Sequence, residues 1–127
     1  MITFLYAGLL GLMYLALSVW VIKKRVKHKV SIGDNGNNDL LTAVRAHGNF
    51  SEFVPIILIL MALVESAELS GIIVHTIGLF LIIGRVFHFA GLTSGTGVNM
   101  YRQVGMALTF LALLMGSFIS ILAYFNS

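Results

Sequence analysis

The sequence predicts an all-α membrane protein, a bundle of four transmembrane helices that takes up residues 1–127 as one domain. Three observations predict it. Hydrophobic residues make up 58% of the 127-residue chain and charged residues 10%, where soluble domains average about 45–50% and about 25%. Mean hydropathy is +0.97. The apolar residues also gather in four runs, each close to the roughly 20 residues a membrane-crossing helix needs. So much apolar surface cannot be hidden inside a water-soluble fold of this length.

The first helix is expected over about residues 2–22, MITFLYAGLLGLMYLALSVWVI being apolar almost without interruption. It has no basic n-region and is longer than the h-region of a secretory signal, about 7–15 residues. It therefore reads as a retained helix, with Trp20 at a membrane interface. The second helix is expected over about 40–68, with Asn38 or Asp39 as its cap. Its first half carries Arg45, His47, Asn49 and Glu52, its second half is apolar, and Pro55 predicts a kink. The third runs over about 71–92 and is interrupted by Arg85 and His88. The fourth runs over about 104–125, where Ala112, Gly116 and Ser120 form a row of small residues suited to close helix contact. Ala7 and Gly11 suggest the same for the first helix.

The net charge is +3, but its placement points to a membrane rather than to nucleic acid, which is not expected as a partner. Five of the eight Lys and Arg residues (Lys23, Lys24, Arg25, Lys27 and Lys29) follow the first apolar run directly. Such a cluster marks a cytoplasmic loop and attracts anionic lipid headgroups. Counting four spans from it places both termini outside. The chain has no cysteine, which excludes disulfides, thiolate metal sites and a cysteine nucleophile. His47, His75 and His88 share no face, so no metal site is expected.

The polar residues of three helices fall toward one membrane face. At 100° per residue, Arg45, Asn49 and Glu52 occupy a stripe roughly 60° wide. Arg85 and His88 are one turn apart, and Arg85 lies about 10 Å from the end of its helix. Each charge at such depth costs about 2.5–3.5 kcal/mol on insertion scales. Taken singly, these residues have plain readings: Arg45 as a solvated cap, Arg85 snorkelling to the headgroups or bridged to Glu52, and His75 and His47 as structural contacts. Taken together with Arg102 they form a cationic pocket holding one acid, suited to an anionic guest with a single amine.

The run Arg45-Ala46-His47-Gly48-Asn49-Phe50-Ser51-Glu52, followed by Pro55 and an apolar stretch, resembles the helix-two motif of the MAPEG family, membrane-associated proteins in eicosanoid and glutathione metabolism. Gly84-Arg85-Val86-Phe87-His88 resembles the family's helix-three motif, and Tyr101-Arg102 its arginine at the start of helix four. The resemblance extends over the whole chain, and overall the sequence looks most like small bacterial inner-membrane members. It implies a homotrimer that binds glutathione between subunits through Arg45, Asn49, Glu52, Arg85, His88 and Tyr101. It also implies that Arg102 stabilises the thiolate, for transfer to, or peroxide reduction of, a lipophilic electrophile arriving from the bilayer. Arginines suit the two carboxylates of glutathione and Glu52 its amine, and a neighbouring cation lowers a thiol pKa from about 8.5. Three positions depart from better-known members: Gly48 stands in place of a basic residue, Leu92 in place of a tyrosine, and Gln103 follows Arg102 in place of a serine. A non-enzymatic protein of the same fold, binding an anionic ligand or a partner, is the alternative. A small multidrug transporter would need an acid in its first helix, and residues 2–22 contain none.

Overall fold

A computed structural model describes residues 1–95 and 97–126. Four helices follow in order: α1 (Ile2–His28), α2 (Asn38–Ser66), α3 (Gly71–Thr93) and α4 (Met100–Phe125). All four are long and apolar enough to cross a membrane, and α3 is the most enclosed. Leu10, Ile57, Met61, Val64, Val74, Ile77, Leu81 and Ala112 meet in the middle of the bundle. The outward faces are equally apolar, with Leu12, Leu15, Ile59, Ile72, Leu114 and Phe118 more than half exposed. In water those faces would be untenable; in hydrocarbon they face their proper solvent.

The helix ends differ from the expected ones for local reasons. α1 continues six residues past Ile22, because lysine and arginine are good helix formers and cations are favoured near a helix C-terminus. It stops at Lys29, which adopts left-handed φ 55°, while Val30 N donates to Arg25 O at 3.1 Å. The loop then folds onto Arg25, whose Nη1 donates to Gly33 O at 2.8 Å. Asn37, rather than Asn38 or Asp39, caps α2 by accepting from Leu40 N at 2.9 Å. Asp39 instead gathers the end of α1, reaching Lys24 at 2.8 Å, His28 at 2.7 Å and Lys27 at 3.7 Å. α2 passes Pro55 as one continuous helix and ends at Ser66, leaving Glu68 outside it with φ 55°. α4 begins at Met100 rather than near Val104, because Asn99 accepts from Arg102 N at 3.0 Å.

At the opposite end of the bundle from this basic loop, Glu65 of α2 closes the start of α1. Its carboxylate accepts from Ile2 N and, at 2.9 Å, from Thr3 N. Two otherwise unpaired donors of a helix N-terminus are thereby satisfied from a neighbouring helix. Nearby, Tyr6 is buried over Gly78, where an added Cβ would lie 2.5 Å from the Tyr6 ring, and its hydroxyl meets His75 Nδ1 at 2.9 Å. His75 is thus a structural contact.

The closest helix approach is between α3 and α4. A Cβ at Gly105 would stand 2.7 Å from Gly84 O and 2.8 Å from His88 Cα, and one at Gly84 would stand 2.9 Å from Gly105 O. Only glycine on both sides allows the two main chains to touch. The buried seam of α4 is Gly105, Thr109, Ala112 and Gly116, one turn earlier than the expected row ending at Ser120. Gly116 packs on Leu60. Gly11, by contrast, has nothing within 4 Å of an added Cβ, so it makes no close helix contact within this chain.

Candidate functional site

Arg85 is the most unusual side chain of the protein. It is 2% exposed, about 12 Å from the C-terminal end of α3 at 1.5 Å per residue, and has no ion-pair partner among the described residues. Its Nη2 donates to Asn49 Oδ1 of α2 at 2.7 Å. Its Nη1 is buried and has no hydrogen-bond partner among the described residues. Arg85 therefore neither snorkels to the headgroups nor bridges to Glu52, as its position in the sequence had allowed: it is enclosed, and it reaches Asn49. The reason is helical register. Asn49 lies on the face of α2 turned to α3, whereas Glu52 is exposed and approaches Arg45 Nη2 at 3.5 Å, with both side chains about half exposed (54% and 52%). An ion pair so exposed holds its partners weakly, and both remain free to exchange partners.

His88 follows Arg85 by one turn and is buried. Together with Asn49, Val98, Arg102, Gln103 and Met106 it lines a cleft of about 280 Å³, which joins α2, α3 and α4. The glycine seam builds this cleft. A Cβ at Gly91 would lie 2.6 Å from Arg102 N and 2.7 Å from Asn99 Oδ1. Asn99 also donates from Nδ2 to Gly91 O at 2.7 Å. The first turn of α4 is thus pressed against α3, and Arg102 is carried to the cleft. Arg102 is partly exposed, and its Nη1 donates to Gly97 O at 3.3 Å.

Of the residues singled out in the sequence, Asn49, His88 and Arg102 line the cleft, and Arg85 lies behind Asn49 without lining it. Arg45 and Glu52 stand on the same α2 stripe but do not line the cleft. Tyr101 is exposed and lies against Phe87, ring centroids 6.0 Å apart, rather than in the cleft. His47 turns toward α1, stacking on Tyr14 at 4.7 Å and meeting Ser18 Oγ at 3.1 Å. Val98, Gln103 and Met106 were not expected in the cleft. The available signal was Asn99: a cap there starts α4 early and brings residues 99, 102, 103 and 106 onto one face.

Four apolar spanning helices, with a buried cation and a cationic cleft near one end, define an integral, multi-pass membrane protein. The chain belongs to the MAPEG family, whose family model matches residues 3–122. It is similar to the inner membrane protein YecN of Escherichia coli, 35% identical over 115 residues that cover 91% of this chain and 86% of the relative. The YecN of a second strain of the same species gives the same values.

Proposed function

We propose that this protein binds glutathione at the cleft between α2, α3 and α4 and uses it as a transferase or peroxidase acting on lipophilic electrophiles in a bacterial inner membrane. One observation carries the reading: Arg85 is buried with Nη2 on Asn49 and Nη1 unpaired. A buried charge without an opposite charge is costly, and an anionic ligand in the adjoining cleft would relieve it. A carboxylate accepts two parallel N–H donors from a guanidinium. The donor set fits glutathione if neighbouring subunits share the site: Arg85 and Arg102 at the cleft of one chain, with Arg45 and Glu52, exposed outside that cleft, brought to the second carboxylate and the ammonium from an adjacent copy.

Glutathione would supply the nucleophilic sulfur. The chain's own residues bind and orient it, and Arg102, in the first turn of α4, favours the deprotonated thiol through its charge. The apolar outer faces leave a lateral route for a lipophilic electrophile. Ligand pockets are usually roughly 300–1,000 Å³, so the cleft of about 280 Å³ in one chain is small for a tripeptide. That favours a site completed by a neighbouring subunit, as in the homotrimer the family resemblance implies. The basic first loop would face the cytoplasm.

Calorimetric titration of glutathione into the detergent-purified protein tests the reading, with folded Arg45→Ala/Arg85→Ala as control. Saturable binding that weakens at least tenfold in the variant is expected; no binding to the folded wild-type protein would reject it. The same cations would serve a non-catalytic anion binder, a reading favoured by the outward placement of Tyr101. Glutathione-dependent conjugation of a model electrophile, reduced at least tenfold by Arg102→Ala, separates the two.

A further inference from the structure

A second binding feature lies on the outer face of α1, away from the cleft. Leu12, Leu15, Ala16, Val19, Trp20 and Lys23, all of α1, line a shallow, open groove of about 470 Å³ along the helix face. Their spacing keeps them on one side of the helix. From Leu12 to Lys23 the groove is about 16 Å long at 1.5 Å per residue. One leaflet of a bilayer contributes half of a hydrocarbon core about 30 Å thick, so the groove has the length of one acyl layer. Its polar end is cationic. Lys23 is exposed and has no acidic partner among the described residues. Lys27, one turn further on the same side, is 65% exposed and only 3.7 Å from Asp39. That carboxylate is already shared with Lys24 and His28, so three basic groups surround one acid and the surface keeps a positive excess.

We infer that this groove is a binding site for one anionic glycerophospholipid, its acyl chain along Leu12, Leu15 and Val19 and its phosphate at Lys23. The length match selects a lipid chain over a soluble ligand, and the unpaired lysine selects an anionic headgroup. A basic residue held near an anionic headgroup is worth about fivefold in affinity.

Trp20 is the only tryptophan in the chain and forms part of the groove wall, so it reports occupancy directly. The test uses the full-length protein in phosphatidylcholine vesicles. Either phosphatidylglycerol or phosphatidylcholine brominated near the top of the acyl chain is introduced at equal mole fraction, and quenching of Trp20 is followed. Brominated phosphatidylglycerol should quench with an apparent affinity about fivefold higher. Lys23→Gln should remove most of that preference, whereas Lys29→Gln, which removes the same charge outside the groove, should keep it. Equal quenching by the two lipids would mean ordinary annular lipid and would overturn the inference. So would quenching by neither, which would place another protein copy over the groove, or equal losses in both variants, which would reduce the effect to diffuse surface charge.

Discussion

Replacing Gly105 with alanine adds one methyl group at the narrowest point of the bundle. That carbon would stand 2.7 Å from Gly84 O and 2.8 Å from His88 Cα, where ordinary contact begins at 3.4 Å. The opposing atoms are main chain, so no rotamer change can clear them, and α3 and α4 must separate. Overpacking of a tight core costs about 1–3 kcal/mol, and a backbone clash belongs at the upper end. Alanine returns up to about 1 kcal/mol of helix propensity, leaving a net loss of about 1–2 kcal/mol. Gly11→Ala is the matched control: it makes the same chemical change where nothing lies within 4 Å, so it should be neutral or slightly stabilising. Denaturation in mixed micelles reads both variants. Because His88 and Arg102 sit on opposite sides of the same seam, Gly105→Ala should also weaken glutathione binding in proportion to the separation. Equal stability of the two variants would refute the claim that glycine is required for the α3–α4 approach.

Asn49→Leu leaves both terminal nitrogens of Arg85 without an acceptor and should cost about 1–3 kcal/mol in the same assay; a neutral result would mean that Arg85 finds another partner. Glu65→Ala removes the acceptor for Ile2 N and Thr3 N. It should cost roughly 0.5–2 kcal/mol, as loss of a helix cap does, with amide hydrogen exchange accelerated in the first turn of α1 and unchanged in α3.

The four spans were legible because an apolar run of membrane length has few other readings. The stripe of Arg45, Asn49 and Glu52 was legible because helical periodicity places them together whatever the tertiary fold. Their partners were not. Arg85 can reach Asn49 or Glu52 from sequence spacing alone, and only the rotation of α2 against α3 decides for Asn49. The α3–α4 seam was missed because Gly84, Gly91 and Gly105 are dispersed, and the more regular row Ala112-Gly116-Ser120 drew attention one turn too far along. Gly11 shows the converse: a small residue in an apolar helix marks an interface only if another helix is there to use it. The capping of α1 by Glu65 joins residues more than 60 apart in sequence, and no local pattern announces it.

The pairing of Asn49 with Arg85 also bears on how the chain is made. An arginine inside a spanning helix penalises its release into lipid, by up to about 2.5–3.5 kcal/mol at the helix centre, and α3 must overcome this with its apolar residues or with help. The help is synthesised first: Asn49 leaves the ribosome 36 residues ahead of Arg85. An amide already at the insertion site would give the incoming guanidinium an acceptor before it meets hydrocarbon. α2 and α3 are thereby suited to entering the membrane as a hairpin rather than one at a time, and the residue that later borders the cleft would first serve as an escort for the charge beside it.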